Sequence, residues 1–414
     1  MSSSRLQHRQ KRWLRLSASC SKPSNSTSSR CTERRRTEKA GPGPGGQLLS
    51  MASLGGLVPP DDDNGTTYLV DERWSALRDI GTASGWLVDP AEVTIGAELG
   101  QGSFGTTFRG SWRGGDLAVK RVRISKPEEA TSFLREVSSL ACLRHPNIMP
   151  FIGACLMPPQ HCYLLCEYLP GGTLTNWLHG NRRQGGRGAP KRALADKIRM
   201  ALGVARGMQA LEEAQPPILH RDLKASNVFL DAGGHPRVAD MGLSRRWEPE
   251  SAASLTGETG TYHYMAPEVI RHEMYDSRAD VYSWGVLFAE ILQQQFPYEG
   301  LYCTPVQCAM AVGDDKLRPT IPSDTPQALV AVAGACFEPE PAMRPSFGVI
   351  VHRLSTFLSS LRSSPGGSGG GSSADSTASI KRMFGWGGAG ANAGDTTPSP
   401  TKRSPGTAAV NGHS

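Results

Sequence analysis

The chain has 414 residues, with 38% hydrophobic content, 47 Gly and 30 Pro, enough apolar material for a real core flanked by sizeable stretches outside it. The formal charge of +7 is concentrated in residues 1–40, where eleven Lys and Arg face two Glu, so the folded part is close to neutral and gains no support for binding nucleic acid or a membrane surface. No apolar run reaches the roughly 18 residues of a membrane span, and Arg15 interrupts Trp13, Leu14 and Leu16, which argues against secretion.

Residues 1–65 form a basic arm rich in Ser, Gly and Pro that lacks the apolar surface to offset its ordering entropy, so it is expected to be disordered. Its first 35 or so residues also have the composition of an organelle transit peptide; a disordered arm on a cytoplasmic protein is the preferred reading. Residues 66–90 lead into the folded segment. Residues 91–169 alternate β-branched or aromatic residues with Gly turns, and residues 170–360 carry longer helical patterns such as Ala279 to Leu292. The expected fold is α+β and bilobal: a small antiparallel sheet lobe with one helix, then a larger helical lobe, with a cleft between. Residues 361–414 form a Gly/Ser/Pro-rich tail, expected to be disordered. It is interrupted by a basic-aromatic patch at Lys381, Arg382, Phe384 and Trp386 and by Pro-directed Thr397, Ser399 and Ser404. The nine cysteines show no zinc spacing, and several lie in apolar runs, so all are expected to be reduced core residues.

Two clusters carry chemistry. The first begins at Leu99 with Gly100, Gln101, Gly102, Ser103, Phe104 and Gly105, between strand-like segments on both sides. Glycines let backbone N–H groups approach phosphate oxygens, and the absence of a following helix disfavours a dinucleotide fingerprint. Lys120 ends the apolar Ala118-Val119 strand, and Glu136 lies in an amphipathic pattern with apolar residues at 133, 137 and 140, so the two can pair between strand and helix. The second cluster is His220-Arg221-Asp222-Leu223-Lys224-Ala225-Ser226-Asn227, followed by Asp240-Met241-Gly242. Phosphoryl transfer needs a carboxylate for the attacking hydroxyl, a cation for the γ-phosphate and oxygen ligands for magnesium, and this cluster holds all three.

These elements, with Ala266-Pro267-Glu268, resemble the protein kinase signature set in its usual order over about 270 residues. Trp86-Leu87-Val88-Asp89-Pro90 leading into the glycine loop, His145-Pro146-Asn147-Ile148, Gly260 to Met265 and Ala279 to Gly285 resemble the tyrosine-kinase-like group, and Raf-like kinases of the MAP kinase kinase kinase type in particular. The resemblance implies a serine/threonine kinase in a signalling cascade, using ATP and Mg2+ on a protein substrate.

Carried over by position, the resemblance makes Lys120 the phosphate-binding lysine and Glu136 its partner. Asp222 becomes the catalytic base, Lys224 the γ-phosphate contact, and Asn227 and Asp240 the magnesium ligands. Glu167, Tyr168 and Leu169 form the adenine hinge behind a small gatekeeper, Cys166, which would leave the back pocket open and thiol-addressable, although a buried neutral thiol is usually inert. Thr107, Ala118 and Phe229 line the adenine site. Lys224, with Thr261 bonding toward Asp222 and Lys224, marks Ser/Thr specificity. Arg221 implies an upstream kinase acting on Ser251, Ser254, Thr256 or Thr259, with Ser254 and Thr256 preferred. Glu268 and Arg344 resemble a buried structural ion pair, and Asp280 a brace for the catalytic-loop backbone.

Three positions depart from the pattern: Met241 in place of Phe, Thr107 in place of Val, and Phe229 in place of Leu. None removes a chemical group, although Met241 makes the inactive-state equilibrium adjustable. A pseudokinase scaffold is the alternative on the same fold, and it predicts loss of Lys120, Asp222, Asn227 or Asp240; a dual-specificity kinase is the other.

Overall fold

A computed structural model describes residues 67–102, 105–124, 127–157, 161–180, 188–247 and 260–363. Ser103 and Phe104 lie outside the described residues, as do Ser251, Ser254, Thr256 and Thr259, the arm and the tail with its basic-aromatic patch.

Five strands build the first lobe: β1 (Thr94–Gly102), β2 (Gly105–Trp112), β3 (Gly115–Arg123), β4 (Phe151–Met157) and β5 (His161–Glu167), in the antiparallel order β1-β2-β3-β5-β4. Arg113 and Gly114 turn β2 into β3 with φ of 50° and 80°, the two-residue turn whose twist suits a hairpin. Gly105 opens β2 at φ 145°, where a Cβ would fall on the Arg121 carbonyl oxygen, so the glycine is needed for the close approach of β2 to β3. Alternation along β3 sends Leu117 and Val119 into one apolar cluster, with Val88, Cys155 and Leu165, and puts Ala118 and Lys120 on the other face.

Helix α1 (Thr67–Ala83) precedes the sheet, and α2 (Pro127–Cys142) follows β3. Phe133, Leu134, Val137 and Leu140 of α2 are buried at helical spacing against the sheet lobe's core.

The second lobe contains α3 (Leu174–His179), α4 (Leu194–Glu212), α5 (Pro267–Ile270), α6 (Arg278–Gln293), α7 (Pro305–Gly313), α8 (Gln327–Cys336) and α9 (Phe347–Ser363). Every residue from Ala279 to Leu292 of α6 is buried, so this helix is enclosed around its whole circumference, with Asp280, Ser283 and Glu290 buried among its apolar residues. Two short antiparallel pairs carry the chemistry-bearing loops: β6 (Ile218–Leu219) pairs with β9 (Arg245–Arg246), and between them in sequence β7 (Val228–Leu230) forms a hairpin with β8 (Pro236–Val238). The sheet-then-helix order expected from the sequence is the one found. Among the described residues no helix is long and apolar enough to cross a membrane.

The expectation of reduced cysteines holds for Cys142, Cys155, Cys162, Cys166 and Cys336 and fails for Cys303 and Cys308, which form a disulfide across the start of α7. The helix start folds these two residues to a Cα separation of 5.9 Å, inside bridging range, which linear spacing could not reveal.

Candidate active site

Lys120 sits in the middle of β3, directly opposite Thr107 on β2 and Leu164 on β5. Its Nζ donates to both carboxylate oxygens of Glu136, at 3.0 and 2.8 Å, and to Asp240 Oδ1 at 3.4 Å. Burial by itself lowers the pKa of the ammonium, but Glu136 and Asp240 outweigh it and hold Lys120 above its ordinary value. Burial pushes the Glu136 carboxyl up, and the bidentate ammonium contact from Lys120 opposes that rise. Burial also works against the Asp240 carboxylate, yet Lys120 draws its pKa below the ordinary value.

Glu136 shares its helical face with two residues that sequence reasoning missed. Ser132 and Ser139 stand four residues before it and three after, the spacing that aligns side chains on α2. Ser132 Oγ donates to the Gly242 carbonyl at 2.9 Å, and Ser139 Oγ shares a 2.9 Å hydrogen bond with Ser244 Oγ. Both serines are buried, so α2 is fastened at three points to Lys120 and to the turn that follows Asp240. Asp240 itself has a left-handed backbone, φ 64° and ψ 71°, unusual for a residue with a side chain and a mark of a constrained position. Met241 behind it is fully buried.

The catalytic-loop candidate leaves β6 at His220. Asp280, on α6, accepts from the His220 and Arg221 amides at 2.7 and 2.9 Å, and Arg221 turns the chain with φ 69°. One tautomer of His220 satisfies both of its contacts: Nε2–H donates to the Ala239 carbonyl at 3.0 Å, and Nδ1 accepts from the Asp222 amide at 3.3 Å.

Asp222, Lys224 and Thr261 then close a ring. Thr261 Oγ1 donates to Asp222 Oδ1 at 2.8 Å, Lys224 Nζ donates to Asp222 Oδ2 at 2.6 Å, and the same ammonium donates to Thr261 Oγ1 at 2.8 Å. Gly260 permits this approach, because at φ 113° a Cβ would strike the Arg221 carbonyl oxygen. Asn227 is buried, and its Nδ2 donates to the Asp222 carbonyl at 2.9 Å and to Asp222 Oδ2 at 3.0 Å. Its backbone carbonyl accepts from the Ala239 amide at 2.9 Å, which brings Asn227 next to Asp240 through the β7–β8 hairpin.

Strand pairing places Ala118 opposite Cys166, at the start of the hinge segment. The Glu167 amide is taken by the Pro150 carbonyl at 3.0 Å. Leu169 is buried, and the Tyr168 ring lies under the Arg109 guanidinium at 4.8 Å. Gly171 donates to the Leu230 carbonyl at 3.0 Å and Leu230 donates back to Gly172 at 2.8 Å, which sets half-buried Phe229 of β7 beneath the hinge. Leu99, Gly100, Gln101 and Gly102 are exposed on β1 beside β2. Cys166 is buried, and burial pushes its thiol up to about 12, which favours the neutral thiol.

A family profile described as protein tyrosine and serine/threonine kinase matches residues 93–354. The chain is 36% identical over 274 residues to the serine/threonine-protein kinase STY46 of Arabidopsis thaliana, covering 65% of this chain and 45% of that protein. It is 38% identical over 273 residues to the serine/threonine-protein kinase CTR1 of the same plant, covering 65% of this chain and 32% of that protein. Similarity to the serine/threonine/tyrosine-protein kinase HT1, also of Arabidopsis thaliana, reaches 34% over 286 residues, 68% of this chain and 70% of that protein. The chain thus spans less than half the length of STY46 and about two thirds of HT1. With a matched region that takes in both chemical clusters and relatives of this kind, the chain belongs to the protein tyrosine and serine/threonine kinase family, among its Raf-like members.

Proposed function

We propose that this chain is an active serine/threonine protein kinase that transfers the γ-phosphate of ATP to a Ser or Thr hydroxyl of a protein substrate in a signalling cascade. The observation that carries the reading is the closed ring of Asp222, Lys224 and Thr261. A carboxylate held by an ammonium and a hydroxyl is fixed in orientation, and its neighbour supplies positive charge for a phosphoryl group.

In this reading Asp222 orients the attacking hydroxyl and takes its proton, and Lys224 stabilises charge on the γ-phosphate. Lys120, steadied by Glu136, meets the α- and β-phosphates. Residues Leu99 to Gly105 cover the phosphates with backbone amides. Adenine lies against Thr107, Ala118 and Phe229, and meets the hinge backbone from Glu167 to Leu169 behind Cys166. Asp240 and Asn227 hold Mg2+; a carboxylate kept ionised by Lys120 and an amide oxygen are the hard donors that this cation takes. When bound, the metal neutralises phosphate charge.

The pseudokinase alternative loses ground because Lys120, Asp222, Asn227 and Asp240 are all present, with Lys120 bonded to Asp240 and Asn227 to Asp222. Dual specificity is kept as a second reading because HT1 is named a serine/threonine/tyrosine-protein kinase. We place the protein in the cytoplasm, under an upstream kinase that modifies Ser254 or Thr256; full activity of a Ser254→Ala, Thr256→Ala double variant would remove that activator.

The deciding experiment incubates the purified chain with labelled ATP, Mg2+ and a protein acceptor, beside Asp222→Asn. Loss of a positioned base lowers the rate about 10²- to 10⁴-fold, with label on phosphoserine or phosphothreonine. Equal rates defeat the assignment, and label on phosphotyrosine as well moves it to dual specificity.

A further inference from the structure

Helix α1 lies outside the matched family region, which begins at residue 93, yet it is built into the sheet lobe. Trp74 and Leu77, one helical turn apart, are buried. The Trp74 ring packs on Phe133 of α2 with centroids 5.9 Å apart and a 33° tilt. Phe133 is itself buried and stands three residues before Glu136.

The exit from α1 is anchored as firmly. Gly85 turns the chain with φ 70°, and the Trp86 and Leu87 amides donate to the Gly81 carbonyl at 3.0 and 3.1 Å. The Trp86 ring comes to rest over Gly81 and meets Phe151 edge-on at 5.7 Å. Val88 and Ala154 then complete a ladder along β4, an edge strand, with bonds of 2.9 Å from Val88 to the Ala154 carbonyl and 3.0 Å from Ala154 to the Trp86 carbonyl.

Helix α2 is therefore gripped on two sides. Ser132, Glu136 and Ser139 hold the face toward Lys120 and the Asp240 turn, and Trp74 holds the face that carries Phe133. A lone helix on a sheet edge can rotate or slide by an ångström or two at small cost, and such a shift is enough to break a 2.8 Å carboxylate–ammonium contact. We propose that α1 is a built-in positioning element: Trp74, wedged against Phe133, sets the seat of α2 and thereby keeps Glu136 on Lys120. This rests on the reading of Lys120 and Glu136 given above. It makes residues 67–90 part of the working kinase, and it gives any event that unseats α1 a direct route to activity.

The test uses the full chain with Trp74→Ala and Trp74→Phe, each alone and combined with Glu136→Gln. If Trp74 acts through Glu136, Trp74→Ala lowers kcat/KM for ATP about 10-fold, chiefly through KM, and Trp74→Phe stays within about 3-fold of wild type. In the Glu136→Gln background the same Trp74→Ala change costs less than about 2-fold, because the contact it supports is already gone. Hydrogen exchange supplies a readout independent of catalysis: amides of residues 130–140 exchange at least about 10-fold faster in Trp74→Ala while those of α6 are unchanged. Wild-type kcat/KM in Trp74→Ala, an equal loss in both backgrounds, or unaltered α2 exchange overturns the proposal. A wild-type chain that transfers no phosphate refutes the kinase reading instead, and the exchange arm still decides whether α1 seats α2.

Discussion

Arg344 and Glu268 meet fork to fork deep in the helical lobe, Nη1 to Oε1 at 2.6 Å and Nη2 to Oε2 at 2.8 Å, with both side chains buried. The same guanidinium donates to the Glu338 and Arg278 carbonyls at 3.0 Å, and Arg278 donates back to the Arg344 carbonyl at 2.7 Å. Helix α5, the start of α6 and the segment before α9 thus share one charge. Glu268→Ala leaves that charge buried without its carboxylate, and the expected loss is about 3–5 kcal/mol of unfolding free energy, measured by urea denaturation. A loss under about 1 kcal/mol would mean that water reaches the guanidinium.

Ser132 and Ser139 bind α2 to the Asp240 turn with neutral hydrogen bonds, so each is expected to contribute about 0.5–1.5 kcal/mol. Ser132→Ala removes the donor and leaves the Gly242 carbonyl unmet. We expect a fall in kcat/KM for ATP of about 3- to 10-fold from that variant, and a larger fall from the Ser132→Ala, Ser139→Ala pair. Steady-state kinetics over a range of ATP concentrations gives the answer; rates equal to wild type in the double variant would show that Glu136 alone fixes the helix.

The Cys166 thiol, lifted by burial from its ordinary 9.0 to about 12, is almost entirely protonated at neutral pH. A raised thiol pKa favours the neutral form, so the thiolate fraction climbs about tenfold per pH unit without levelling off below pH 10 or so. Alkylation by iodoacetamide, followed by peptide mass spectrometry, should leave Cys166 unlabelled at pH 7.5 under conditions that label an unfolded control. Rapid labelling of the native protein at that pH would show a solvent path to Cys166.

Gly260→Ala should be far more damaging than a methyl group suggests. The φ of 113° disfavours any side chain, and the new Cβ would fall on the Arg221 carbonyl, so Thr261 must move away from Asp222. We expect kcat to drop by about 10²-fold or more, with melting shifted only modestly. A variant with normal kcat would show that the ring of Asp222, Lys224 and Thr261 tolerates displacement.

The candidate site was legible in the chain because the resemblance to protein kinases rests on particular groups in a fixed order. The glycine loop, Lys120, Asp222, Lys224, Asn227 and Asp240 have side-chain chemistry that few other roles require, and short loops between apolar runs keep the second cluster together. Ser132 and Ser139 stayed hidden because a serine on an amphipathic helix looks like any polar surface residue until its partner is known. Their spacing with Glu136 was the available signal, but Gly242 and Ser244 lie more than a hundred residues away. Val70, Trp74, Leu77 and Ile80 recur at helical spacing, but a periodic apolar face does not say which element it packs against, and Phe133 lies some sixty residues away.

By itself the sequence determined the two-lobed order, which follows from local pattern, and its resemblance to protein kinases named the residues proposed to carry phosphoryl transfer. Only the tertiary structure decided that Ser132 and Ser139 fasten α2 to the turn after Asp240, that α1 packs against α2, and that Cys303 bonds to Cys308. Those contacts depend on how helices and strands pack through buried surfaces of complementary shape, and packing is a property of the folded whole that no single stretch of residues encodes.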